Sequence, residues 1–341
     1  MKVIIFSDRT PGWAPVYYMA HLFAELTCTM LQTVGDRPSV LNALECAIGS
    51  RYRNASKPDL LIISTDPRRL RLIATRKGWR RNYNRCFAWI TDSFWTSRIP
   101  ILNFTGIFDH LFVMSGNDVG EYQARTGVKT SFLGWGTDAL RNCDIHGDRK
   151  NDLIRVGRQH TEWDDDEDNL KFLNGHGITY QGRPPVIADP VENHKQLLRY
   201  LRQSKFALAF SNLVSPAPYT HPEKEYVTAR WTYAVASGCI VAGIPPKSDY
   251  SFKAYFPSDT ILEFPSITRR DSIDILTQAI RDWTPDRAAK NRAIALRNLD
   301  WRWRFKEVAN IAGAEWPFLN AEIAALQQEI NNEDRAVCST K

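Results

Sequence analysis

The chain has 341 residues, 43% of them hydrophobic and 24% charged, the balance of a folded globular protein long enough for about two domains. Its net charge of +6 is local: eight basic and no acidic residues lie between Pro67 and Arg85, and the near-neutral remainder argues against a nucleic-acid coat protein. No apolar run approaches the ~20 residues of a membrane span and the amino terminus lacks a secretory signal, while six scattered cysteines without a C-x-x-C pair point to reduced thiols and no zinc site.

Short apolar runs alternate with helical stretches, which predicts parallel strands covered by helices. In the first half, strands are expected at 2–7, 60–64, 86–91, 110–114 and 130–133, with helices at 15–31 and 118–126. The polar segment 140–150 reads as an interdomain linker. A second series places strands at 153–157, 178–181, 206–210, 239–243 and 260–263. Its helices are expected at 164–174, 193–203, 225–237 and 271–283. Helix then continues from Pro285 to about residue 331, punctuated at Pro317 and able to pack back on the first domain; the last ten residues are expected to fray. The fold class is therefore α/β, two Rossmann-like domains facing a cleft. The domains are 1–140 and 151–315, joined by 141–150 and followed by a helix and tail, 316–341.

Ligands of open α/β sheets bind at the carboxyl ends of the strands, which directs attention to the loops after the strands. The first, SDRTPGWAP, contains Gly12, which lets backbone N–H groups approach a phosphate and equally suits a tight turn. It is not G-x-G-x-x-G, so a nicotinamide cofactor is disfavoured. Asp92 directly follows the strand 86–91, placed to take a proton from a sugar hydroxyl or to offset developing positive charge; with Ser93 it also suits a helix cap. Gly157 allows close backbone approach and Arg158 offers a forked donor to a diphosphate.

Lys224, Glu225, Thr228 and Arg230 crowd the start of the helix expected at 225–237. Helix dipole, hydroxyl and guanidinium there suit a phosphate, and Glu225 can accept from sugar hydroxyls; an amphipathic helix with solvated charges is the plainer alternative. The acidic run 164–168 contains Asp-x-Asp but reads as a helix start. Without H-E-x-x-H or an EF-hand spacing, no catalytic metal is expected, and without G-x-S-x-G no serine hydrolase. The basic cluster comprises Arg68, Arg69, Arg71, Arg76, Lys77, Arg80, Arg81 and Arg85, interleaved with Leu70, Leu72, Ile73 and Trp79. It suits an anionic glycan, a lipid-linked diphosphate or an anionic membrane surface, or else is a solvated helix face.

The run from Glu225 through Thr228-Ala229-Arg230-Trp231-Thr232-Tyr233 to Ser237-Gly238-Cys239 resembles the donor-binding signature of GT-B-fold glycosyltransferases, most nearly the bacterial spore-maturation-type group. In that pattern a glutamate, seven residues and a second glutamate precede a small-x-small-Gly turn and a strand. Phe132-Leu133-Gly134-Trp135-Gly136-Thr137-Asp138 and Ile154-Arg155-Val156-Gly157-Arg158 resemble the segments that close the first domain and open the second. Two positions depart from it. The second glutamate falls on Tyr233, and Trp163-Asp164 stand where a lysine usually follows the opening strand.

The resemblance implies a retaining, metal-independent hexosyltransferase of polysaccharide biosynthesis. Its nucleotide diphosphate sugar is a co-substrate, with no cofactor, and its acceptor is a glycan or a lipid-linked sugar. Asp92 and Glu225 would be catalytic, with Gly12, Gly157, Arg158, Lys224, Thr228, Arg230 and Tyr233 on the donor and the basic cluster on the acceptor or a membrane. The expected location is cytoplasmic, with peripheral contact at the inner face of the membrane. A nucleotide-sugar epimerase on the same scaffold, or a non-catalytic anionic-glycan-binding protein, stays open as an alternative.

Overall fold

The computed structural model describes residues 1–6, 13–33, 55–70, 82–100, 107–142 and 148–339. The chain divides into two compact units: Met1–Gly134 with Trp316–Phe318, and Trp135–Glu315 with Leu319–Lys341.

The first unit is built on strands β1 (Lys2–Phe6), β2 (Met30–Thr33), β3 (Leu60–Ser64), β4 (Cys86–Ile90), β5 (His110–Val113) and β6 (Thr130–Phe132). All pair in parallel in the order β2-β1-β3-β4-β5-β6, with helices α1 (Ala14–Leu26) and α2 (Val119–Thr126) among the connections. Strands β3 (LLIIS) and β4 (CFAWI) are buried at every position, as continuous apolar strands covered on both faces must be. Leu60, Ile62, Ala88, Ile90, Leu111 and Val113 form one face of this core with Tyr122 and Val128. Trp316 meets Phe23 of α1 edge-on, with ring centroids 5.5 Å apart.

The helix expected over 15–31 is shorter, and a strand unforeseen in the sequence comes after it. Helix α1 stops at Leu26, where the Thr27 hydroxyl donates back to Phe23 O at 2.7 Å and Cys28 takes φ +50°. The chain then turns into β2 and pairs with β1. The apolar periodicity runs through Met30 and Leu31 without a glycine or proline to mark this break.

The second unit holds β7 (Asn151–Arg155), β8 (Tyr180–Gln181), β9 (Ser204–Phe210), β10 (Ile240–Ile244) and β11 (Ile261–Glu263), parallel in the order β11-β10-β9-β7-β8. Its helices are α3 (Asp166–Asn174), α4 (Pro190–Arg202), α5 (Ala229–Ala236), α6 (Tyr250–Tyr255), α7 (Arg269–Arg281), α8 (Pro285–Asn298), α9 (Trp301–Ala312) and α10 (Pro317–Ser339). Side chains alternate along β9. Phe206, Leu208 and Phe210 enter a core with Trp163 and Phe264, while Ala207 and Ala209 join the one that contains α5. Gly243 has φ +144°, and a Cβ there would lie 1.9 Å from Ala209 O on the neighbouring strand. Helix α10 extends to Ser339, beyond the point where fraying was expected.

The segment that enters this unit is anchored by charge. Arg302, fully buried, donates to Asp138 at 2.8 Å, to Asp300 at 2.9 Å and to Glu322 at 2.6 Å. The residues on either side of 143–147 are equally fixed. Asn142 donates to Ala236 O at 3.1 Å, and the buried Arg149 donates to Ser237 O at 2.8 Å. Among the described residues, no helix is long and apolar enough to cross a membrane.

Candidate functional site

In the second unit the strand order reverses between β7 and β9, the two strands that grow in opposite directions across the sheet. A crevice opens outside the carboxyl ends of strands at such a reversal. The loops leaving those two strand ends therefore supply its walls. After β7 the chain passes through Gly157, at φ +67°, and an added Cβ would touch Arg230 Cδ at 3.4 Å. Gln159 Nε2 donates to Val156 O and to Leu208 O, each at 3.0 Å, so this turn is tied to β9. Beneath it Arg155 is buried and paired with Asp164 and, at 2.9 Å, with Asp166. Asp165 caps α3. The acidic run is thereby occupied in holding the turn.

Two guanidinium groups meet at this reversal. Arg230 Nη1 donates to Arg158 O at 2.5 Å and its Nη2 reaches Phe210 O, the last residue of β9, at 3.4 Å. Arg158 lies with its guanidinium 5.4 Å from the ring centre of Tyr219, and its buried Nη1 has no hydrogen-bond partner among the described residues. Among those residues neither arginine has an ion pair with a carboxylate. Burial, and then the like charge of Arg158, push the Arg230 pKa down to about 10, still well above neutrality. Two adjacent cations that no carboxylate neutralises suit an anion with two negative centres.

The loop leading to α5 is held from several sides. The side chain of Asn212, itself buried, donates to His221 O at 3.0 Å and Lys224 O at 2.9 Å and accepts from Tyr226 N at 3.2 Å. Glu225 accepts from the Ser211 hydroxyl through Oε1 and from Ser248 N and Oγ through Oε2, at 2.9 and 2.8 Å. These bonds correct the helix expected over 225–237. It begins only at Ala229, with Thr228 at the amino cap, so Lys224 and Glu225 stand in an extended loop. Side-chain groups that bond the loop backbone compete with helix formation. Thr228 Oγ1 lies 3.5 Å from Arg230 Nε. Tyr233 is only 1% exposed and packs edge-on against His194, with ring centroids 4.7 Å apart. Burial drives the His194 pKa down to about 3, as expected of a neutral core imidazole. Tyr233 thus belongs to the core behind the arginine pair.

In the first unit, Asp92 follows β4 with one residue between. Burial, and then the charge of Asp66, raise its pKa to about 7 against the pull of Arg98. Asp66, after β3, pairs with Arg68 at 2.6 Å and Arg98 at 3.3 Å, and Arg98 stacks 3.5 Å over the ring of Trp95. Gly12 and five members of the basic cluster (Arg71, Arg76, Lys77, Arg80 and Arg81) lie outside the described residues. Arg68 and Arg69 come after β3, at its carboxyl end. Arg85 precedes β4 and pairs with Asp59 at 2.6 Å, at the opposite end of these parallel strands. Among the described members, Arg68 and Arg69 therefore lie at the end of the strands opposite to Arg85.

The same pair of parallel-sheet units occurs in solved structures. Sucrose-phosphate synthase from Thermosynechococcus elongatus is 10% identical, with a TM-score of 0.51 over 92% of this chain and 98% of that one. HepE from Anabaena, solved with UDP and glucose, is 12% identical, with a TM-score of 0.53 over 92% and 99%. Both are GT-B-type glycosyltransferases. No protein-family model and no curated protein matches the chain. The fold is GT-B.

Within the GT-B framework, Gly157, Arg158 and Arg230, all expected from the sequence, come together, held by residues that the sequence reading did not single out. Ser211 and Asn212 immediately follow β9, so the strand-end rule was signal enough for them. Asp66 and Arg98 lie outside any motif and become visible only once β3 and β4 are seen side by side. Tyr219 has no sequence signal at all beyond the prolines around it.

Proposed function

We propose that this GT-B protein is a metal-independent glycosyltransferase that moves a hexose from a nucleoside diphosphate sugar to a glycan or lipid-linked hydroxyl with retention of configuration, in the manner of the spore-maturation group. The observation that carries the reading is the Arg158–Arg230 pair, two cations with no carboxylate partner among the described residues, at the β7/β9 strand reversal. A leaving diphosphate gains negative charge as the anomeric C–O bond breaks. Fixed guanidinium groups stabilise that charge without reorganising, which is the role a metal takes in other transferases. HepE was solved with UDP-glucose, which makes UDP the first nucleotide to test.

In this reading Gly157 keeps the backbone clear for the diphosphate, and Thr228 N-caps the helix beneath it. Glu225, with three of its roughly four acceptor directions filled by serines, keeps one for a sugar hydroxyl. Tyr233 is left out because it is buried in the core. The first unit receives the acceptor, and Asp92, with a pKa of about 7, takes the proton released by the attacking hydroxyl. The acceptor oxygen forms the new glycosidic bond on the same face of the sugar that the diphosphate leaves, which retains the configuration, and the electron pair of the broken bond leaves with the nucleoside diphosphate. A cytoplasmic location belongs to the same proposal.

The test is incubation with a panel of nucleoside diphosphate sugars, with UDP release followed by a coupled assay and products by mass spectrometry. Release by the wild-type protein that is lost in Arg158→Ala and Glu225→Ala supports the reading. Full release by both variants removes the donor assignment, and C2 isomerisation without release turns the reading to an epimerase.

A further inference from the structure

Arg158 poses a physical problem that the donor reading leaves open. A long side chain with four rotatable bonds carries an uncompensated charge beside a second cation, yet its guanidinium makes no ion pair among the described residues. Something other than opposite charge must hold it. The loop between β9 and α5 supplies a candidate. It reads Ser215-Pro216-Ala217-Pro218-Tyr219-Thr220-His221-Pro222, with three prolines to restrict its φ angles.

The turn at its centre is closed reciprocally. Ala217 N donates to Thr220 Oγ1, and Thr220 N and Oγ1 donate to Ala217 O, all at 2.9 Å. Thr220 is buried and faces inward, whereas Tyr219 beside it is 67% exposed. A large aromatic ring on so stiff a turn is not there to fill a core. Its ring centre lies 5.4 Å from the Arg158 guanidinium, within the range of cation–π attraction.

We infer that Tyr219 is a positioning residue for the diphosphate site: its ring, offered on the proline-stiffened turn, holds the Arg158 guanidinium in the orientation that receives the phosphates. The inference rests on the donor reading and adds to it a part that no motif marks. Attraction of this kind asks only for the face of the ring, so phenylalanine serves as well as tyrosine. It also acts on the phosphate end of the ligand and is indifferent to the base.

The experiment is isothermal titration of the full chain with two probes, UDP and inorganic pyrophosphate. Tyr219→Ala should weaken both by the same factor, roughly 3- to 5-fold. Tyr219→Phe should match the wild type for both, and Tyr219→Ala should add nothing in an Arg158→Ala background. Because Tyr219 is exposed, its variants should melt with the wild type, which separates loss of binding from loss of fold. An unchanged affinity in Tyr219→Ala overturns the inference. So does a loss confined to UDP, which would place the ring on the base, or an equal further loss in the Arg158→Ala background. If pyrophosphate and UDP both fail to bind the wild type, the donor reading falls and the inference with it; binding that ignores Tyr219 but needs Arg158 sinks the inference alone.

Discussion

Replacing Arg158 by methionine should cost little stability and much affinity. The folded protein holds Arg230 at a pKa of about 10 against an ordinary 12.5, an unfavourable environment worth about 3 kcal/mol that is fully present at every pH below 10. Desolvation is the larger cause and the charge of Arg158 the second, so removing Arg158 relieves the smaller part of that cost. Loss of its contact with the Tyr219 ring takes back about 0.5–1 kcal/mol. The sum is close to zero, and Tm should move by no more than about 3 °C. UDP loses a forked, charge-assisted donor, worth about 3 kcal/mol or roughly 100-fold in Kd. Differential scanning fluorimetry measures the first quantity and isothermal titration the second. A fall in Tm of about 8 °C with UDP affinity intact would overturn this account, because Arg158 would then be a structural prop.

Three other outcomes are expected. Asp92 is raised from 3.8 to about 7, so the folded state binds its proton more tightly than the unfolded one, and stability falls as pH rises from 4 to 7. Asp92→Asn should therefore raise stability at pH 8 by about 1–2 kcal/mol, discounted for a half-buried group, and lower turnover at least 100-fold. The wild-type rate should climb through pH 7; a rate flat from pH 5 to 9 would exclude Asp92 as the base. Arg302→Met strands the buried carboxylates Asp138 and Asp300 and should cost about 3–5 kcal/mol, read as a large drop in the urea midpoint; an unchanged midpoint contradicts the network. Gly243→Ala drives a Cβ onto Ala209 O across β9 and β10, so soluble expression should collapse, and a soluble variant with wild-type melting would show that the strands yield.

The parallel strands were legible because uninterrupted apolar runs such as LLIIS and CFAWI leave few other places to go. The meeting of Gly157, Arg158 and Arg230 was legible for a related reason: strand ends are predictable, and so are the loops that leave them. The loop before α5 was not, since helical composition over 225–228 is overruled by Asn212 and Ser211, more than ten residues upstream. Tyr233 looked like a substituted ligand because motif spacing carries no information on burial. Adjacency in sequence likewise hides that Arg68 and Arg85 flank opposite ends of the parallel pair β3 and β4.

The first unit is not a continuous stretch of chain, since Trp316, packed on Phe23, belongs to it. During synthesis, 181 residues emerge between Gly134 and Trp316. At ~5–20 residues per second that is a wait of about 10–40 s with the face around Phe23 uncovered. The amino-terminal half therefore cannot finish folding in the order in which it is made. A fragment cut at Gly134 should be a poorer folder than its intact sheet suggests, and a permuted chain that begins near Trp316 should reach its native packing sooner.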